Sequence, residues 1–198
     1  APEVAAVTSL AARAFEDMGC TVDEAAIKLD ASCFDTWWTI HNGMAYGMNA
    51  ALLDTHRDQL TWYAINCLEH GASLTGADYA LAMGQRDLMI AHFSDLLEKY
   101  DLLLSPTLPT TAIPVDNWPE EIGGKSVYPD PAYGFLPFTH PINTIGFTAS
   151  TVPCGFSSDG MPIGLHIIGK AGDEETVMAA SAAFERARPW AQHKPPVS

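Results

Sequence analysis

The sequence predicts an α/β domain in which helices cover a sheet, and three stretches carry that prediction. A helix-period segment over residues 2–18 leads straight into a strand-like run from Cys20 towards Ile27. A long helical pattern opening at Thr75 or Gly76 is followed at once by the apolar run Leu102-Leu103-Leu104. Two strand-like pieces, residues 149–153 and 163–168, are joined by turn residues and followed by a last helix. Helices alternating with short apolar strands are the pattern of α/β architecture.

Each element has its own grounds. In the first, Val4, Val7, Leu10, Ala11, Ala14, Phe15 and Met18 recur at three- and four-residue spacing, and Gly19 is placed to stop the helix. A helix entering a strand with no strand before it normally crosses over from a preceding one, so an earlier stretch of protein is expected. Residues 32–70 read as mostly helical, with Ser32 as N-cap and with Trp37, Trp38, Met44, Met48, Leu52 and Leu53 as apolar content. Gly43 and Gly47, four apart, suit close packing, and the expectation is a buried helix on a sheet. The helix from residue 75 or 76 to about Lys99 carries the longest amphipathic pattern, and the buried strand at 101–104 follows it.

From Ser105 to Pro141 eight prolines rule out regular helix or central strand. A long irregular segment in a domain this size is usually functional. Its aromatics Trp118, Tyr128, Tyr133, Phe135 and Phe138 are candidates for a pocket wall. Beyond it, Ser158-Asp159-Gly160 supplies the turn between the two strands. Asp173-Glu174-Glu175 then opens the last helix, which Pro189 ends. The organisation expected is helix and strand over 1–31, a helical layer over 32–100, a Pro-rich loop over 105–141, and strand-strand-helix over 148–190.

The 198 residues suffice for one core, and 47% of them are apolar. Net charge is −14, with 14 acids against 5 bases in residues 1–100 and 10 against 5 in residues 101–198. Nucleic acid and anionic membrane surfaces need clustered Lys and Arg, so neither is expected as a partner. No apolar stretch approaches the roughly 20 residues of a membrane span. Cys20, Cys33, Cys67 and Cys154 are widely spaced, which suits free thiols in a cytoplasmic setting.

Signatures of catalytic chemistry are mostly absent from the sequence. The seven histidines form no metal-ligand spacing, and no metal or cofactor is expected. G-x-S-x-G and S-x-x-K are absent, and Ile122-Gly123-Gly124-Lys125-Ser126 lacks the first glycine of a phosphate loop. Ser150 has no base near it in sequence, though a distant one is open to it. His166 sits in a strand pattern, where packing or hydrogen bonding is its expected role.

Four segments together carry a resemblance. Tyr100-Asp101-Leu102-Leu103-Leu104-Ser105-Pro106-Thr107 resembles the "YD-apolar-apolar-apolar-x-PT" strand of the amidase signature family. Residues 138–146, Phe-Thr-His-Pro-Ile-Asn-Thr-Ile-Gly, resemble its "P-x-N-x-x-G" segment. Residues 150–156, Ser-Thr-Val-Pro-Cys-Gly-Phe, resemble its "S-x-P-C-G-F" with one residue more between Ser150 and Pro153, and residues 159–169 resemble its "DG-x-P-x-G-x-Q-apolar-apolar-G", with His166 where the family pattern has Gln. The order and separation are the family's, and the likeness covers essentially the whole chain.

The resemblance implies part of an α/β/α sandwich, its mixed sheet covered by helices. It implies cleavage of carboxylic amides by a Ser–cis-Ser–Lys triad. The Gly/Ser-rich signature that holds the serines does not occur here, so no residue of this chain takes a triad role and the isolated chain is expected to be inactive. The chain looks like the last two-fifths of such an enzyme, with an amino-terminal half as its partner and a small-molecule amide as substrate. Its contribution is expected to be pocket wall: Trp118, Tyr128 and Phe138 from the loop, and the turn Ile142-Asn143-Thr144-Ile145.

Arg86 lies where an arginine of glutamyl-tRNA amidotransferase A subunits pairs with the glutamine carboxylate. It could instead pair with Asp87, Asp95 or Glu98. The acid that would hold the glutamine amine appears here as Leu136 or Pro137, which favours a neutral or aromatic amide. Two other readings stay open. The chain is then a non-catalytic binding module, monomeric or homodimeric with covered sheet edges, or it carries its own site at Ser150 or Cys154.

Overall fold

The computed structural model of the protein describes residues 1–27, 31–115, 117–127 and 135–194. In chain order its elements are α1 (Pro2–Asp17), α2 (Ala31–Asn49), α3 (Ala51–Thr55), a 3-10 turn (Arg57–Gln59), α4 (Trp62–Ser73) and α5 (Gly76–Leu97). There follow β1 (Leu103–Pro106), β2 (Glu121–Ile122), β3 (Lys125–Ser126), α6 (His140–Ile145), β4 (Ala149–Phe156), β5 (Pro162–Ile168) and α7 (Glu174–Ala187). Helices with a sheet make the α/β class. The chain divides into two units, Ala1–Ile27 with Ser94–Ser198, and Lys28–Phe93.

In the first unit the sheet order is β1-β5-β4, and both pairings are antiparallel. No parallel pairing occurs among the described strands. Residues alternate between the two faces of a strand. On β5, Leu165 and Ile167 therefore share one face, and both are fully buried with Ala11, Ala14 and Phe15 of α1 and Val177 and Phe184 of α7. The Phe15 and Phe184 rings stack with centroids 5.6 Å apart. This is the core of the unit. It follows the helical spacing of α1 with one exchange: Thr8 is buried, and Leu10, expected inside, is exposed.

The ends of α1 and α7 are set by local hydrogen bonds. Gly19 takes φ +90°, a conformation costly for any residue with a Cβ. There its N–H donates to the Glu16 carbonyl at 2.9 Å, and Cys20 N–H donates to the Phe15 carbonyl at 2.9 Å. That pair of bonds closes the helix as a Schellman motif, as the position of Gly19 predicts. Asp173 caps α7, its carboxylate accepting from Thr176 N–H at 3.3 Å.

Several expectations need correction. The run from Cys20 to Ile27 forms no strand; it finds no ladder partner among the described strands, and without one an apolar run has nothing to hold it extended. Ser32 is inside α2 rather than its cap, since the helix already includes Ala31. Strand β4 runs three residues beyond Pro153, through a register shift between Pro153 and Gly155 that leaves Cys154 as the extra residue of a bulge. The Pro-rich stretch also holds a small hairpin, β2 with β3, turned by Gly123 and Gly124 at φ +59° and +78°. The turn at 158–160 is as expected: Gly160 has φ +83°, and the Ser157 hydroxyl accepts from Met161 N–H at 2.9 Å and donates to the Asp159 carboxylate.

In the second unit α2 pairs with α4. Gly71 of α4 permits the crossing: a Cβ there would lie 2.6 Å from Tyr46 Cβ and collide with the Asn42 carbonyl. Gly43 meets the Tyr79 ring, whereas Gly47 faces open space. Thr61 caps α4, accepting from Ala64 N–H at 3.4 Å. Thr75 and Asp78 form a reciprocal cap on α5. Thr75 N–H donates to the Asp78 carboxylate at 2.9 Å, and Asp78 N–H donates to the Thr75 hydroxyl at 3.2 Å. The amphipathic reading of α5 holds only in part, because Leu81 and Leu88 are exposed while Ala82 and Phe93 are buried. Nor is α2 buried throughout: Met44 and Met48 are 53% and 79% exposed. Among the described residues no helix is long and apolar enough to cross a membrane.

Candidate functional site

The face of the sheet opposite Leu165 and Ile167 has a polar centre. Register places His166 of β5 across from Ser105 of β1 and Thr151 of β4. His166 is only 6% exposed, and its Nδ1 lies 3.5 Å from the Ser105 hydroxyl. Burial pushes its imidazole down to about 4, so it is neutral at pH 7. One step along, the Thr107 and Thr151 hydroxyls meet at 2.5 Å. They meet above Gly164, where a Cβ would stand 2.7 Å from the first hydroxyl and 2.8 Å from the second. The glycine is therefore required by the approach of the two side chains.

Of this strip, the sequence singles out only His166. Ser105 and His166 are 61 residues apart, and Thr107 and Thr151 are 44 apart. Only strand register brings them together. The available signal was the placement of all five residues inside the four recognised segments.

The expected pocket residues are distributed more loosely. Trp118 is half-buried with its ring 5.8 Å from that of Phe135. Phe138 is also half-buried, and Tyr128 lies outside the described residues. The turn at 142–145 is the body of α6. Ile142 and Ile145 are buried, Asn143 is exposed, and the Thr144 hydroxyl donates to the His140 carbonyl at 2.7 Å. Gly146 ends the turn at φ +71°, and its N–H donates to the Ile142 carbonyl at 3.0 Å. His140 is 4% exposed, and burial pushes it to about 4 as well. Arg86 belongs to the other unit, half-buried on α5.

Neither proposed nucleophile is activated. Ser181 donates its hydroxyl proton to the Val177 carbonyl at 2.7 Å, so the Ser150 hydroxyl, 2.7 Å from Ser181, is the donor of that pair. A serine that donates to another serine has no general base drawing off its proton. Burial pushes the Cys154 thiol up to about 11, with a hydroxyl contact from Thr8 acting in the other direction. At neutral pH it is a thiol, not the reactive thiolate.

Residues 1–178 match the family model described as Amidase. An acylamidase of Rhodococcus erythropolis is 33% identical over 98% of this chain, which corresponds to 41% of that protein. The glutamyl-tRNA(Gln) amidotransferase A subunit from Lacticaseibacillus casei (strain BL23) is 31% identical over 93% of the chain and 41% of its own length. The structure of a bacterial aryl acylamidase of the amidase signature enzymes superposes with a TM-score of 0.83 at 27% identity, over 96% of this chain and 41% of that one. The chain thus spans about two-fifths of the relatives it matches.

Proposed function

Because the chain belongs to the amidase signature family, we propose that it is the carboxy-terminal portion of an enzyme that hydrolyses carboxylic amides by Ser–cis-Ser–Lys chemistry. In this reading the reacting serines and lysine come from an amino-terminal portion, and this chain supplies substrate-pocket wall. The observation that carries it is the sheet. Strands β1 and β4 each have a ladder partner on one side only among the described strands, so the sheet offers two edges for further strands. The absence of an activated Ser150 or Cys154 supports the same division of labour.

The pocket wall we assign to Trp118, Tyr128, Phe138 and the α6 residues Ile142, Asn143, Thr144 and Ile145. Aromatic and aliphatic groups with a few polar ones suit a neutral or aromatic amide. Similarity to an acylamidase in Rhodococcus erythropolis and to the structure of an aryl acylamidase favours that substrate class. A second reading, an amidotransferase A-like subunit, is favoured by the relative from Lacticaseibacillus casei and by Arg86 as a carboxylate partner. Against it, Leu136 and Pro137 stand where an acid would hold the substrate amine. Four free cysteines suit a reducing compartment, and the cytoplasm is the location we propose.

The test is denaturing intact mass on native material sorted by anilide-hydrolysing activity. Active fractions are expected to contain a longer parent species or a second polypeptide. An active fraction containing only the 21.3 kDa chain would overturn the proposal.

A further inference from the structure

The polar strip on the second face of the sheet has hydrogen-bonding capacity beyond what its own bonds use. Ser105 has one hydroxyl proton, and it goes to the Pro106 carbonyl at 3.0 Å. Towards His166 Nδ1, 3.5 Å away, Ser105 can therefore only accept, so the neutral ring carries its proton on Nδ1. The distal ring nitrogen, Nε2, is left as an acceptor. On the other flank of His166 stands Thr151, whose hydroxyl meets that of Thr107 at 2.5 Å. That bond uses one of the two hydroxyl protons and leaves the other to donate. Burial falls off along the strip: His166 is buried, Ser105, Thr107 and Gly164 are half-buried, and Thr151 is exposed. We propose that this strip binds a neutral carboxamide, its N–H given to His166 Nε2 and its carbonyl oxygen taking the free threonine proton. The site rests on the reading of the chain as part of an amide hydrolase and assigns residues outside the aromatic wall to its substrate.

Three features select the amide. The first is spacing. His166 and Thr151 are directly opposed on β5 and β4, so their Cβ atoms lie about 4.5–5.5 Å apart. One planar group with its donor and acceptor two bonds apart can span such a pair. The second is charge. The strip holds no Lys or Arg and the chain carries −14, so a carboxylate finds no counter-charge there. The third is the demand for both a donor and an acceptor. An ester offers its carbonyl to the threonines but has no N–H, and it would leave Nε2 desolvated and unpaired. Gly164 serves the same arrangement, since a Cβ there would stand 2.7 and 2.8 Å from the two hydroxyls and push the pair apart.

Titration of the purified, nitrogen-15-labelled chain with benzamide, methyl benzoate and benzoate, followed by NMR, tests this. Benzamide is expected to move the His166 Nε2 resonance and the Thr151 and Gly164 amides saturably, with a dissociation constant of about 1–10 mM. Methyl benzoate and benzoate should bind at least about tenfold more weakly. A chain carrying both Thr107→Val and Thr151→Val, and separately His166→Leu, should lose about tenfold in benzamide affinity with unchanged circular dichroism. His166→Gln keeps an acceptor and should bind within about threefold of the wild type. No movement of the Nε2 resonance with benzamide up to about 50 mM would overturn the proposal. So would equal titration of the wild type and the double valine variant, or methyl benzoate binding as well as benzamide. The titration needs no turnover. A negative result therefore removes the amide site alone, whereas an active fraction holding only the 21.3 kDa chain removes the division of catalytic labour alone.

Discussion

Replacing His166 by Gln should reduce the acid sensitivity of the fold while sparing its stability at neutral pH. His166 and His140 are both nearly fully buried, and burial depresses each from about 6.5 to about 4. A base whose folded pKa lies below its unfolded value binds more protons when unfolded. Its contribution to stability is therefore present above about 6.5 and is lost as pH falls towards 4. Each shift corresponds to about 3 kcal/mol in full, and about 2 kcal/mol of that falls between pH 7 and pH 5. His166→Gln should then lose about 2 kcal/mol less than the wild type over that interval, while His140 and His41, whose imidazoles are also lowered by burial, titrate in both. Asp78, whose carboxyl is lowered by the Thr75 hydroxyl and N–H, acts with the usual acid sign, but only below pH 4. Gln keeps a donor and an acceptor for Ser105, so the cost at pH 7 should stay under about 1 kcal/mol. Urea melts at pH 7, 6 and 5 give the numbers directly. Parallel pH profiles for the wild type and the variant would show that His166 does not take up a proton on unfolding in this range.

Three further outcomes follow from packing and thiol chemistry. Phe184→Ala removes a fully buried ring stacked on Phe15 and should cost about 3–5 kcal/mol, read as a lower urea midpoint with an unchanged slope. Gly71→Ala forces a methyl group into Tyr46 and the Asn42 carbonyl, so it should cost about 3 kcal/mol or more and melt the α2–α4 pair first; hydrogen exchange confined to residues 31–73 would show it. At pH 8 the exposed Cys20 should react with a thiol reagent well before Cys33, Cys67 and Cys154, as peptide mapping after brief labelling would show; early labelling of Cys154 would contradict its burial.

What the sequence made legible was local. The α1 core positions, the Gly19 stop, the apolar run at β1, the Ser158–Gly160 turn and the acidic start of α7 all depend on residues within a few positions of each other. What it hid depends on distant partners. Cys20–Ile27 has the composition of a strand but finds no ladder partner among the described strands. Leu81 and Leu88 fit a helical period, yet which side of α5 is covered is decided by the other elements. The polar strip of Ser105, Thr107, Thr151 and His166 exists only through the β1-β5-β4 register, and the bulge at Cys154 follows from how β4 must pass β5. For the candidate site, the loop aromatics could be picked out as types. Only the Trp118–Phe135 pair is now placed by a ring contact among the described residues.

This chain is proposed to contribute pocket wall and no nucleophile. That proposal is tested most directly by assaying the purified 21.3 kDa chain for hydrolysis of an aryl amide beside its Ser150→Ala and Cys154→Ala variants. No turnover above the uncatalysed rate is expected in any of the three. Turnover by the wild-type chain that disappears in either variant would contradict it.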